Sequence, residues 1–204
     1  DHAVVENNEI YDVTYGIYDK DNGDSNVFRL NYVHGDGTRC NYGIRIASRN
    51  GNTIRDDQVY QNIVRSCTVG VEVDGGSSPN VRTLVYNNTI THSATAVSVS
   101  SGSTDAQVYS NIIYRATGTG GVTTSNGAIA YADYNLYDPS WSGSPGANSI
   151  RDQNPKLIDD AANSVDDFQL QATSPALNAG RNGQHIGAYI TGSETIGLGA
   201  VVAA

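Results

Sequence analysis

Apolar positions recur along the first part of the chain in one short pattern: an apolar residue, two others, Asn, one more, then a second apolar residue. It reads Val5-Glu6-Asn7-Asn8-Glu9-Ile10, Phe28-Arg29-Leu30-Asn31-Tyr32-Val33 and Val59-Tyr60-Gln61-Asn62-Ile63-Val64. It returns as Val85-Tyr86-Asn87-Asn88-Thr89-Ile90 and Val108-Tyr109-Ser110-Asn111-Ile112-Ile113, with a weaker copy at Ala132-Asp133-Tyr134-Asn135. The Asn steps are 23, 31, 26, 23 and 24 residues, and self-similarity at such a period marks a repeat architecture. A second element follows each copy, a small residue and then an apolar alternation: Gly16-Ile17, Gly43-Ile44-Arg45-Ile46, Gly70-Val71-Glu72-Val73, Ala96-Val97-Ser98-Val99 and Gly121-Val122. Ile17, Ile44, Val71, Val97 and Val122 are spaced by 27, 27, 26 and 25. The long Asn step therefore predicts an insertion around His34-Gly35-Asp36-Gly37-Thr38 that restores the second element to register.

Short β-branched runs of period two, separated by Gly, Asn, Ser and Asp, predict strands. A turn of ~25 residues without helical periodicity predicts an all-β chain, a single-stranded right-handed parallel β-helix in which no coil could bury its apolar face alone. Coils are expected over 1–140, and a C-terminal cap packed on the last coil of the same domain over 141–204. At each bend the ladder Asn is expected to tolerate the left-handed region and to hydrogen-bond nearby backbone or the Asn one coil away.

The last third breaks the repeat. Trp141-Ser142-Gly143-Ser144-Pro145-Gly146 is a turn cluster. Thr173 to Gly180 predicts a helix of one to two turns, with Ser174 as N-cap, Pro175 at the first helical position and Gly180 ending it. Together with Asn154-Pro155-Lys156-Leu157, an Asp167-Phe168-Gln169-Leu170 strand and Ile186-Gly187-Ala188-Tyr189, this resembles the terminal segment of many secreted bacterial β-helix proteins. That resemblance implies a secreted or cell-surface bacterial protein, and covers enzymes and adhesive proteins alike. The chain enters a strand almost directly after Asp1, with nothing resembling a cap. Further N-terminal coils of a longer β-helix, or another chain, are expected to cover that open end.

Composition narrows the class. The 204 residues carry a formal net charge of −9, with 38% hydrophobic and 16% charged residues and 22 Gly, and the pI is near 4.6. Low charge with many small polar residues suits a turn-rich solenoid better than a disordered acidic chain. No apolar run approaches the ~20 residues of a membrane span, and no basic stripe exists to neutralise nucleic-acid phosphates. Cys40 and Cys67 each stand four residues before a core position, Ile44 and Val71. They should stack one coil spacing apart, ~4.8 Å, either as buried thiols or as a disulfide.

Two outward rows could carry chemistry. Two residues before the ladder Asn stand Glu6, Arg29, Tyr60, Tyr86 and Tyr109. The three tyrosines form an aromatic strip that either packs against sugar rings or simply stabilises the sheet. On the second element the outward positions are Tyr18, Arg45, Glu72, Ser98 and Thr123, then Lys20, Ala47, Asp74, Ser100 and Ser125. Lys20, Arg45, Glu72 and Asp74 thus share a face, either as a surface salt-bridge cluster or as a site for an anionic sugar flanked by Tyr18. Elimination from a uronate needs a base beside the carboxylate and a cation that neutralises it, and a lysine near arginines suits the base. Glu72 with Asp74 is the candidate carboxylate pair for a glycoside hydrolase.

Lys20 followed by Ser25-Asn26-Val27-Phe28-Arg29-Leu30-Asn31 resembles the lysine-containing coil of the chondroitinase B and alginate lyase family, polysaccharide lyase family six, which has Lys and then Asn-x-Tyr-Arg-x-Asn. The resemblance implies Lys20 as base, assisted by an arginine of the next coil. The family arginine aligns with Ala47, so Arg45 or Arg49 would substitute, and Val13 and Tyr15 stand where the family has acidic calcium ligands. No cofactor is required, but Asp19, Asp21 and Asp24 of the acidic turn Asp19-Lys20-Asp21-Asn22-Gly23-Asp24 are candidate Ca²⁺ ligands, the alternative being a solvated turn. The resemblance implies an extracellular lyase-like β-helix cleaving an acidic polysaccharide by β-elimination. The alternatives are a non-catalytic carbohydrate-binding or surface module, or the C-terminal part of a larger β-helix lyase or glycoside hydrolase. Asn87-Asn88-Thr89 is a formal glycosylation sequon, but its ladder position favours a structural role.

Overall fold

Three long parallel sheets and one short one wind around a single apolar interior. The computed structural model describes residues 1–21, 23–35, 39–100, 102–118, 120–124, 129–137, 146–159 and 164–197. Sheet A stacks Val4–Glu6, Val27–Arg29, Gln58–Tyr60, Leu84–Tyr86, Ala106–Tyr109 and Ile129–Asp133. Sheet B stacks Glu9–Tyr11, Tyr32–His34, Ile63–Arg65, Thr89–Thr91, Ile112–Tyr114 and Leu136–Tyr137. Sheet C stacks Tyr15–Lys20, Tyr42–Ala47, Val69–Asp74, Thr95–Val99 and Gly120–Thr124. The expected register is observed, with Ile17, Ile44, Val71, Val97 and Val122 in one column. The interior is filled by Ile44, Val59, Val64, Val71, Val85, Val97 and Val108, all fully buried.

Sheet D, of Ile54–Arg55, Asn80–Val81 and Ser103–Thr104, was not expected. It explains half of the long Asn step. Seven residues separate Asn8 from Tyr15 and eleven separate Asn31 from Tyr42, so four residues are inserted between sheets B and C. Seven separate Lys20 from Val27 and eleven separate Ala47 from Gln58, so four more carry the chain through sheet D. Residues 36–38 of the expected insertion lie outside the described residues.

The asparagine ladder runs unbroken through the bend between sheets A and B. Asn8, Asn31, Asn62, Asn88 and Asn111 each donate Nδ2 to the Oδ1 of the next ladder Asn at 2.9–3.0 Å. Each also donates its backbone N–H to the same oxygen. The left-handed backbone, however, falls on the residue before each ladder Asn, namely Asn7, Leu30, Gln61, Asn87, Ser110 and Tyr134, at φ 49–58°. The ladder Asn therefore serves by its amide and not by conformational tolerance. The small residue before each sheet C core position is a matter of space. A Cβ on Gly43 would lie 2.4 Å from Val64 Cγ1 and 2.6 Å from the Gly70 carbonyl oxygen.

Cys40 and Cys67 form a disulfide between neighbouring coils, with Cα atoms 4.5 Å apart, which resolves the open alternative. At the first coil, Val5, Ile10, Val13 and Ile17 line an apolar hollow of about 390 Å³.

The C-terminal segment follows a path different from the expected one. It runs back along the outer face of sheet B instead of stopping at the last coil. Its Leu157, Phe168, Ala176, Ile186, Ala188, Tyr189 and Ile196 form a second core with Tyr32, Ile63, Ile112, Tyr114 and Leu136 of the sheet. Asn154 Nδ2 donates to the Tyr114 hydroxyl, Ala188 N to Thr89 Oγ1 and Gly197 N to the Leu30 carbonyl, so this strap spans coils two to five. Within it Ser174 caps a turn instead of a helix, accepting from Ala176 N at 3.1 Å. Val165–Phe168 is a short 3₁₀ turn in place of the expected strand, and only Leu170 bridges to Leu157. Residues 141–145 of the turn cluster lie outside the described residues.

Candidate functional site

The outer face of sheet C gathers most of the charged residues expected there. Tyr18 pairs with Arg45 and Arg45 with Glu72, while Lys20 and Asp74 flank Ala47. Arg45 Nε lies 2.6 Å from Glu72 Oε2 and its Nη2 2.9 Å from Asp74 Oδ2, and Arg49 pairs with the same Asp74 oxygen. Asp74 Oδ1 accepts the Gly76 N–H at 2.9 Å. Arg45 Cζ also sits 4.6 Å from the Tyr42 ring centroid and 5.4 Å from that of Tyr18, with Tyr15 stacked on Tyr42. Tyr15 and Tyr42 form this aromatic surround, and the outward alternation alone did not single them out.

The two carboxylates are shifted in opposite directions. Burial pushes Asp74 up, but the Arg49 and Arg45 guanidiniums outweigh it and hold the carboxyl at about 2. Burial pushes Glu72 above its ordinary value, Arg45 opposes this, and the charge of Asp74 adds to it. Lys20 lies at the rim of the same face with its side chain 51% exposed, and its ammonium is 3.6 Å from Asp21. Lys20 and the two arginines thus share a face, but both guanidiniums are already matched by carboxylates. Ser125 lies outside the described residues.

The acidic turn directs its carboxylates apart. Asp19 Oδ2 accepts from Asn26 Nδ2 at 2.8 Å, Asp21 Oδ2 from Asn50 Nδ2 at 2.9 Å, and Asp24 lies 4.0 Å from Arg55. Asn22 lies outside the described residues, and among the described residues no three acidic, His or Cys side chains converge as metal ligands. Asp57, which no sequence pattern pointed to, is fully buried. Its Oδ1 accepts the Asn26 N–H at 2.8 Å. Burial drives it up to about 8, against that N–H, and the neighbouring Asp19 and Asp24 add to the rise.

On sheet A the tyrosine strip forms as expected, but as a closed stack. Tyr60 and Tyr86 are 4.9 Å apart and Tyr86 and Tyr109 5.0 Å, near-parallel in both pairs. Each inner ring face is used by its neighbour, so the strip presents edges and hydroxyls rather than faces. One end is closed by Arg29, which pairs with Glu6 at 2.6 Å and donates to the Tyr60 hydroxyl at 3.0 Å. At the other end Tyr131 meets Tyr109 edge-on, and Arg181 of the strap lies over both rings, at 4.9 and 5.2 Å. Between strap and ladder is a crevice of about 290 Å³ lined by Gln58, Tyr86, Tyr109, Arg181, Asn182 and Gln184. Sequence reasoning placed the tyrosines here. It missed Arg181, Asn182 and Gln184 because the strap's path was not legible locally, and Gln58 because it stands four residues before its ladder Asn, outside the row of tyrosines. The sequon Asn87 is buried at the same edge, and its Nδ2 donates to the His185 carbonyl.

The right-handed β-helix region model matches residues 1–143, and the chain belongs to that family. Comparison with curated proteins and with solved structures returned no match.

Proposed function

We propose that the chain is a polysaccharide-binding β-helix, acting at the cell surface or after secretion, and that it holds its ligand in the crevice between the tyrosine stack and the strap. The supporting observation is the lining: two glutamine amides, an asparagine amide and tyrosine edges around an open hollow. Such convergent donors and acceptors on a preformed wall suit a polyhydroxylated ligand. The Tyr86 hydroxyl donates to Gln58 Oε1 at 3.0 Å, which orients both groups. Affinity electrophoresis through gels carrying plant, algal and animal polysaccharides tests the reading. Gln184→Ala and Tyr86→Phe should each weaken retardation, since the second keeps the ring stack and removes only the hydroxyl. Retardation unchanged in both variants would sink it.

β-Elimination of a uronate polymer is the second reading, supported by the shared face of Lys20, Arg45, Glu72 and Asp74. It requires Arg45 or Arg49 to release a carboxylate before it can neutralise that of a substrate. Formation of an unsaturated uronate, followed by ultraviolet absorbance and lost in Lys20→Ala, would establish it in place of the binding reading. A product that needs added Ca²⁺ and is lost in Asp21→Asn would bring in the acidic turn.

A further inference from the structure

Resting on the binding reading above, we infer that Arg181 makes the crevice selective for acidic sugars, its guanidinium taking the carboxylate or sulfate of a bound residue while Gln58, Asn182 and Gln184 hold the hydroxyls. The first argument is placement. Arg181 projects from a tight turn in which Gly180 N donates to the Gln184 carbonyl and Gly183 N to that of Gly180. Its own N–H donates to Ser110 Oγ at 2.9 Å. Ser110 is the left-handed residue before ladder Asn111, so the turn is fastened to the most regular part of the solenoid. Beside it, Gly187 N donates to the Ser110 carbonyl.

The second argument is the state of the charge. Arg29, Arg45, Arg49 and Arg82 each pair with a carboxylate. Arg181, by contrast, lies against two aromatic rings, and among the described residues no carboxylate stands within ion-pair distance of it. Asp133, on the same strand as Tyr131, is turned away, its oxygens accepting from Tyr134 N and from Asn148 N and Nδ2 at 2.7–2.8 Å. A guanidinium that meets rings and the Tyr109 hydroxyl instead of a carboxylate keeps N–H groups available for a planar or tetrahedral oxyanion. Holding it against both rings in advance reduces the ordering cost that a loose surface arginine would meet on binding. In a protein of net charge −9, an exposed and unmatched cation beside sugar-type donors is a recognition feature, since general electrostatic attraction of an anion is absent.

The test compares polymers that differ in charge alone. Binding of the intact protein to polygalacturonate and to fully methyl-esterified polygalacturonate is measured by calorimetry at low and moderate salt, with dextran sulfate and dextran as the sulfate-bearing pair. The acid form should bind at least tenfold tighter than its ester, with a preference that shrinks as salt rises. Arg181→Gln should reduce the acid form to the affinity of the ester and leave the ester unchanged, and Arg181→Lys should retain only part of the preference. If only dextran sulfate shows the charge preference, the anion is a sulfate rather than a carboxylate. Equal affinity for charged and neutral members of both pairs, or a preference that survives in Arg181→Gln, would overturn the inference while leaving the binding reading in place. Failure of all four polymers, and of the gel panel, to bind would remove both.

Discussion

Asn62 donates its backbone N–H and its Nδ2 to the single Oδ1 of Asn88, at 3.1 and 3.0 Å, and Asn88 does the same to Asn111. Asn88 Nδ2 also reaches the carbonyls of Val59 and Tyr86. One amide therefore satisfies backbone groups on two coils, the Asn62 N–H and Val59 carbonyl buried and the Tyr86 carbonyl partly so. Asn88→Ala leaves the buried Asn62 N–H and two carbonyls short of partners, at about 1–3 kcal/mol for each group left unsatisfied. A loss of about 3–5 kcal/mol in urea denaturation is expected. Asn8→Ala, at the half-buried first coil, should cost about 1 kcal/mol. Equal losses at the two sites would contradict the ladder's role in stability.

The Cys40–Cys67 disulfide closes a separation of 27 residues. In the chain-entropy account a loop of that length contributes about 3–4 kcal/mol. The double substitution Cys40→Ser with Cys67→Ser should lower the unfolding free energy by that order and leave the far-ultraviolet circular dichroism unchanged. Thiol titration of the native protein should find no free cysteine until it is denatured and reduced.

Register was legible because residues repeated once per coil must stack, so Ile44 meets Val71 and Tyr60 meets Tyr86. The strap was not legible from its own residues, since Ala176 or Ile186 does not announce which sheet it will cover. The signal lay in sheet B. Tyr32-Val33, Ile63-Val64 and Ile112-Ile113 are consecutive apolar pairs, and a strand apolar on successive residues is apolar on both faces. Such a sheet requires a cover, and those outer residues are the ones the strap buries. The charged face was legible as a placement but not as a set of pairings. Alternation decides which side a residue is on, whereas side-chain reach decides that Arg45 meets Glu72 and Asp74 and that Lys20 turns to Asp21.

Asp57 predicts an inverted pH dependence at the corner where the second and third coils stack. Its carboxyl is raised to about 8 in the fold from an ordinary 3.8. Between those values the folded chain binds a proton that the unfolded chain has released. Its contribution is thus complete at acid pH and declines as pH rises through the window. Asp57→Asn should keep the acceptor for Asn26 N–H and remove the ionisation. The variant should gain on the parent as pH rises from about 5 to about 8, read from thermal or urea midpoints. A constant difference between the two proteins across that range would show that Asp57 does not hold its proton.

Glu72 and Asp74 stand two residues apart on one strand and both meet Arg45, yet they should respond in opposite ways. Asp74 is held at about 2, below its ordinary 3.8, so its stabilising effect is present above the ordinary value and is lost as pH falls through the folded one. Glu72 is shifted upward by burial, so keeping it ionised opposes folding once pH exceeds its ordinary value. Asp74→Asn leaves Arg49 and part of Arg45 without a counter-charge, and removing one partner of a buried pair costs about 3–5 kcal/mol. With its side chain still 10% exposed, Asp74 should fall at the lower end, about 3 kcal/mol at neutral pH. Glu72→Gln should cost less than half of that, because it also relieves the repulsion from Asp74. At about pH 3, where Asp74's contribution is fading, the gap between the variants should narrow. A Glu72→Gln loss as large as that of Asp74→Asn would mean that both carboxylates are structural counter-ions of equal standing. Loss of a hydrolytic or eliminating activity in Glu72→Gln, without loss of stability, would instead mark the glutamate as chemically active.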